Sequence, residues 1–171
     1  MFSESKKTAA TDYLIKPGYI FVSVKPAIIS AVLGSCVSVC IYDNELKIGG
    51  MNNFNLPIAT QSNQSTARFG NVSTSALIRM MIDNGSKISS MEAQILGGSN
   101  NPDLISKKDI GQDNIRSALQ VLKKKRVSVV SQDVGGQKGR KIVFDTGINQ
   151  IAVLKVDKLR KGDWHPYEDY R

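Results

Sequence analysis

The sequence predicts a single α+β domain, and three observations carry that prediction. A chain of 171 residues is long enough for one full core and short for two. About seven short runs show strand-like alternation or continuous apolar character, whereas only two stretches space their apolar residues as a helix does. A hydrophobic fraction of 41% and a charged fraction of 22% lie in the ordinary globular range.

The elements follow in chain order. Residues 1–11 are polar, charged and rich in small side chains, and are expected to be a flexible lead-in to a domain over residues 12–160. Residues 19–24 alternate toward a strand that Pro26 closes. Residues 27–33 form a second apolar run that delivers the chain to Gly34-Ser35-Cys36, where glycine allows a tight bend or a close approach. Val37, Val39 and Ile41 then alternate with Ser38, Cys40 and Tyr42, the period of a strand. Asp43-Asn44-Glu45 is turn chemistry, because Asp and Asn side chains bond their own backbone. A second strand-like run begins at Ile48. With a turn of Asp43 to Leu46, Tyr42 faces Lys47 and Cys36 falls opposite Asn53, their Cβ atoms about 4.5–5.5 Å apart.

Residues 60–66, rich in Ser, Thr, Gln and Asn, read as an exposed loop. A helix is predicted over 71–84, with Val72, Ala76, Leu77, Met80 and Met81 on one side and Gly85 as its stop. A short strand over 92–96 runs into Gly97-Gly98 and a loop through Asn100, Asn101 and Pro102. The second helix, over 113–125, places Ile115, Ala118, Leu119 and Leu122 on a buried stripe. Strands are expected over 127–130, 141–144 and 151–156, with residues 132–140 as a long hairpin loop. The glycines of that loop lack the following lysine-plus-hydroxyl pair of a phosphate cradle. Residues 161–171 form a polar tail that carries the single histidine, His165.

Composition excludes several function classes. Two cysteines and one histidine are too few for the usual zinc sites, and no cofactor motif is present, so neither metal nor cofactor is expected. Cys36 and Cys40, four residues apart on a strand, stand roughly 13 Å apart, too far for a disulfide; free thiols fit a reducing compartment. No secretory signal or membrane span is evident, which gives a cytoplasmic expectation without direct membrane insertion. The net charge of +8 reads chiefly as solvated helix ends or as a surface steering an acidic partner. With 6% aromatic residues and no binding motif, nucleic acid is not expected.

The motifs add a resemblance. Leu33-Gly34-Ser35-Cys36-Val37, Gly49-Gly50-Met51, Leu56-Pro57 and Gly97-Gly98 occur in order, followed by Ile110-Gly111 with Asn114. Asp133-Val134-Gly135-Gly136 and Gly139-Arg140-Lys141 complete the set. Across about residues 19–155 it resembles the CheD family, chemoreceptor glutamine deamidases of bacterial and archaeal chemotaxis. The resemblance implies layered mixed β-sheets, a β-sandwich-like core, flanked by about two to three helices. It implies a thiol nucleophile at Cys36 and backbone oxyanion donors around Gly34 and Ser35. It implies a histidine base at the position of Asn53 and a hydroxyl at Ser30, where the family usually has threonine. As partners it implies the cytoplasmic helices of chemoreceptors and the phosphatase CheC.

Asn53 departs from that pattern. A carboxamide does not titrate near neutral pH and cannot take the thiol proton. Positioned acid–base catalysis contributes typically about 10²–10⁴-fold, so deamidation without it is expected to be weak. The alternative is an inactive adaptor on the same scaffold. His165 lies outside the family's motifs and is the less favoured substitute base; nothing in the spacing selects Asp43 or Asp133.

Overall fold

Every residue of strand β4 (Val37–Asp43) is buried, and its two faces belong to two different cores. Val37, Val39 and Ile41 face one apolar cluster, and Cys40 and Tyr42 the other, as the period-2 pattern demands. The structure, a computed structural model, describes residues 11–101 and 108–159. The lead-in at 1–10, Pro102, and the tail at 161–171 with His165 lie outside the described residues.

The other strands are β1 (Thr11–Leu14), β2 (Tyr19–Ser23), β3 (Ala27–Leu33), β5 (Ile48–Asn53), β6 (Met91–Gly97), β7 (Ser128–Val134), β8 (Gly139–Asp145) and β9 (Gln150–Val156). They form a five-stranded sheet in the order β2-β5-β4-β6-β7 and a four-stranded sheet in the order β1-β3-β8-β9. Both sheets are mixed: β1–β3 and β6–β7 pair parallel and the rest antiparallel. Helices α1 (Gly70–Asp83) and α2 (Ile110–Lys125) cover one face of the five-stranded sheet. Its other face packs on the four-stranded sheet through Ile29, Leu33, Met51, Leu96, Ile142 and Phe144. The result is the α+β, layered-sheet architecture, with helix on sheet on sheet.

Local chemistry explains the element ends. Asp109 caps α2, its carboxylate accepting the Gln112 N–H at 2.9 Å, which starts the helix three residues before the predicted position. Lys123, Lys124 and Lys125 fill its last turn, where cations complement the carbonyl end, and left-handed Arg126 (φ 60°) ends it. Ile115, Ala118 and Leu122 are buried as the stripe predicts. In α1 the buried face is rotated from the predicted one: Ser73, Thr74 and Ile78 join Leu77 and Met81.

Three expectations are corrected. Thr11, placed in the lead-in, begins β1, which pairs with β3. Residues 132–140 are not a hairpin loop, because β7 and β8 lie in different sheets and reach far into that stretch. The β4–β5 register also differs, since the ladder closes at Asp43↔Ile48 and Tyr42 faces Gly49. Asp43 is the reason. Its carboxylate accepts the N–H groups of Glu45 and Leu46, its carbonyl accepts that of Lys47, and Lys47 takes a positive φ of 59°. The turn therefore spans residues 44–47, one residue later than expected, and the register moves by two.

Candidate active site

The chain passes from the four-stranded sheet to the five-stranded sheet through Gly34-Ser35-Cys36, between β3 and β4. Each carbonyl of this crossing is held from one side of the fold. Gly34 O accepts the Ser99 N–H at 2.9 Å, Ser35 O accepts Asn114 Nδ2 at 2.9 Å, and Cys36 O accepts the Gly98 N–H at 2.8 Å. Gly97 (φ +103°) must be glycine here, because a Cβ would collide with the Cys36 carbonyl oxygen. Gly98 and Gly111 likewise let β6 and the start of α2 meet: a Cβ on Gly98 would stand 2.6 Å from Ile115.

The direction of the N–H groups follows. No described peptide is cis, so the Ser35 N–H points opposite to the Gly34 carbonyl and the Cys36 N–H opposite to the Ser35 carbonyl. Both turn away from Ser99 and Asn114. Among the described residues, no backbone partner takes either N–H; that of Cys36 lies against its own sulfur.

The Val37↔Phe54 bridge and the Cys40↔Met51 pair share one register. That register sets Ser38 against Asn53 and, continued one step past the Val37↔Phe54 bridge, Cys36 against Asn55 rather than Asn53. A shift of two keeps the face, so Cys36 and Asn53 remain on the same side as diagonal neighbours. Asn53 is 1% exposed. Its Nδ2 donates to Ile15 O at 3.1 Å, while Oδ1 is buried with no partner. Ser38 Oγ, also buried, is unpartnered as well. Next to this pair the β4–β5 ladder is opened by Asn52, whose Oδ1 takes the Val39 N–H at 2.7 Å.

Burial pushes the Cys36 thiol up to about 11, against the pull of its own backbone N–H and of the Arg68 charge. Burial alone pushes Cys40 up as well. Ser30 lies elsewhere. Ala27, Ile29, Ala31 and Leu33 face the inter-sheet core, so Ser30 takes the opposite face of β3, across from exposed Val143. Only its carbonyl joins the site, accepting the Ile15 N–H at 2.9 Å. The structure thus gathers Gly34, Ser35, Cys36 and Asn53 and leaves the Ser30 side chain outside. Asn55, Arg68 and Ser38 enter the site without a motif to mark them. Asp133, weighed as a base, is engaged by buried Arg140 at 3.0 Å and Lys155 at 3.1 Å, and Asp43 is engaged in its turn. Among the described residues no cluster of His, Cys, Asp and Glu suits a metal ion, and no helix is long and apolar enough to cross a membrane.

Comparison with known proteins bears on this arrangement. Residues 56–155 match the family described as CheD chemotactic sensory transduction. The "Probable chemoreceptor glutamine deamidase CheD" of Sulfurimonas denitrificans is 35% identical over 146 residues, covering 84% of this chain and 94% of that protein. Its namesake from Clostridium acetobutylicum is 40% identical, covering 75% of this chain and 81% of that protein. "Probable chemoreceptor glutamine deamidase CheD 1" of Anaeromyxobacter dehalogenans is 38% identical, covering 74% of each. Among solved structures, Bacillus licheniformis hypothetical protein YfiH overlaps 69% of this chain and 51% of its own, with 10% identity and a TM-score of 0.43. The chain belongs to the CheD family of chemotactic sensory transduction proteins.

Proposed function

We propose that this protein is a slow chemoreceptor glutamine deamidase acting on the cytoplasmic helices of receptors, with Cys36 as its nucleophile. The observation that carries this reading is the Gly34-Ser35-Cys36 crossing, which sets a thiol beside two N–H groups directed away from their neighbours' carbonyl anchors. In the reaction the Cys36 thiolate adds to the side-chain carbonyl carbon of glutamine. The oxyanion settles on the Ser35 and Cys36 N–H groups, and as it collapses the C–N bond breaks and ammonia leaves with a proton taken from solvent, forming the thioester. Water then cleaves the thioester, giving glutamate and the free thiol.

Two features support a low rate. A thiol at about 11 is ionised to about one part in 10⁴ at pH 7, and the carboxamide of Asn53 cannot take up its proton. The free Oδ1 of Asn53 favours a second reading, because it suits the N–H₂ of a substrate carboxamide. Binding then survives where turnover does not, and the protein serves as an adaptor for receptor helices or for CheC. Site-resolved mass spectrometry of a receptor cytoplasmic fragment separates the two. A gain of about one dalton at a glutamine with wild type, absent with Cys36→Ser, is the expected result; no gain with wild type sinks the deamidase reading.

A further inference from the structure

Arg68 lies just before α1 and outside the signature motifs, yet the fold fastens it to the segment that follows the Val37↔Phe54 bridge next to Cys36. Its carbonyl accepts the N–H groups of both Asn55 and Leu56, at 3.1 and 3.0 Å, which fastens it to the segment leaving β5. Its aliphatic stem crosses Gly18, where a Cβ would stand 2.9 Å from Arg68 Cγ. Arg68 Nε donates to Asn55 Oδ1 at 3.4 Å, and Asn55 is the residue that faces Cys36. The Arg68 charge acts on the Cys36 sulfur. Arg68 is exposed, and among the described residues it pairs with no carboxylate. With Nε tethered, both terminal amino groups stay available in the planar fork that matches a carboxylate.

We propose that Arg68, tethered by Asn55, forms a carboxylate-binding subsite beside Cys36 that selects glutamines with an acidic side chain one helical turn away. Cys36 and Asn55 both adjoin the Val37↔Phe54 bridge, a position where opposed residues would have Cβ atoms about 4.5–5.5 Å apart, and helix residues one turn apart are separated by about 5–6 Å. A helix presenting a carboxamide to the thiol therefore sets its neighbour one turn away over the guanidinium. The choice of substrate rests on the deamidase reading above; the subsite itself does not.

The test has two arms. In the first, alkylation of Cys36 by anionic iodoacetate is compared with that by neutral iodoacetamide, read on the Cys36 peptide in wild type, Arg68→Gln and Arg68→Lys. The expected outcome is an iodoacetate preference that falls about fivefold in Arg68→Gln, is largely kept in Arg68→Lys, and weakens with salt. An unchanged ratio in Arg68→Gln overturns the subsite. In the second, binding of a receptor fragment is measured with the acidic residue one turn from the glutamine intact or changed Glu→Gln. Loss on either side is expected to abolish the effect of the other; independent, additive losses overturn the selection. An iodoacetate preference that depends on Arg68, with no deamidation by wild type, upholds the subsite and sinks the deamidase. Deamidation indifferent to Arg68 and to flanking charge does the reverse.

Discussion

Asn53→His places an imidazole on the face that carries the Cys36 thiol, one diagonal step across the β4–β5 pairing. Such neighbours stand about 7–8 Å apart at Cα, within reach of an aromatic side chain. The wild-type thiol, at about 11, is ionised to roughly 3 parts in 10⁴ at pH 7.5. Pairing with an imidazolium brings thiols to about 7.5 or below, which makes half of Cys36 thiolate and raises that fraction about 10³-fold. The less basic thiolate is a weaker nucleophile, by about 25–50-fold for a Brønsted slope of 0.4–0.5. The net expectation is alkylation by iodoacetamide about 30–60-fold faster at pH 7.5, from these same factors. The pH profile separates the two proteins more clearly than the rate. Wild type keeps rising about tenfold per unit through pH 10, whereas the variant levels off above about pH 8. A variant profile that follows wild type means the imidazole does not reach the thiol; a wild-type midpoint near 8 refutes the burial argument itself. The larger ring in a site 1% exposed costs about 1–3 kcal/mol, so the comparison is made on protein whose melting temperature has been measured.

Other consequences follow from the frame around the site. Gly97→Ala adds a Cβ against the Cys36 carbonyl at φ +103°; the strain, about 1–3 kcal/mol, lowers Tm by about 2–12 °C and slows Cys36 chemistry through the displaced loop. Asn52→Ala leaves the buried Val39 N–H without its acceptor, at about 1–3 kcal/mol, and native-state hydrogen exchange should report faster opening at Val39. Burial works to raise the Asp133 carboxyl, but the hydrogen bonds and charges of Lys155 and Arg140 outweigh it and hold the group below its ordinary value. A depressed carboxylate stabilises the fold above its unfolded value of about 3.9 and loses that contribution as pH falls through the folded value. Asp133→Asn therefore costs about 1–2 kcal/mol near neutral pH, since Arg140 is buried but the carboxylate and Lys155 are partly exposed, and the gap from wild type in urea unfolding closes as pH drops below about 4.

The sequence made some of this visible and hid the rest for physical reasons. The alternation of Val37, Val39 and Ile41 with Cys40 and Tyr42 marks a strand between two cores, and the stripe of Ile115, Ala118 and Leu122 marks a buried helix face. The thiol and its glycine-led crossing were legible as a motif. The partner across the hairpin was not, because one aspartate side chain decides where the turn begins, and a turn one residue later replaces Asn53 with Asn55 opposite Cys36. Arg68 was hidden more deeply. Its place beside the thiol depends on backbone pairing with Asn55 and on the bare surface of Gly18, contacts between segments that no periodicity links. Residues 132–140 carry the turn-rich composition of a hairpin loop without forming one. Val134 pairs with Gly97 in one sheet and Gly139 with Val156 in the other, so the glycines Gly135 and Gly136 span two sheets.

The measurement that tests the central claim most directly is deamidation of one receptor cytoplasmic fragment by wild type and by Asn53→His, followed by mass at each glutamine. The account predicts slow conversion by wild type and conversion at least tenfold faster by the variant, because on the proposed reading Cys36 is the nucleophile and position 53 supplies no base. Equal rates in the two proteins, or fast conversion by wild type, would contradict it and place the working base at a residue other than position 53.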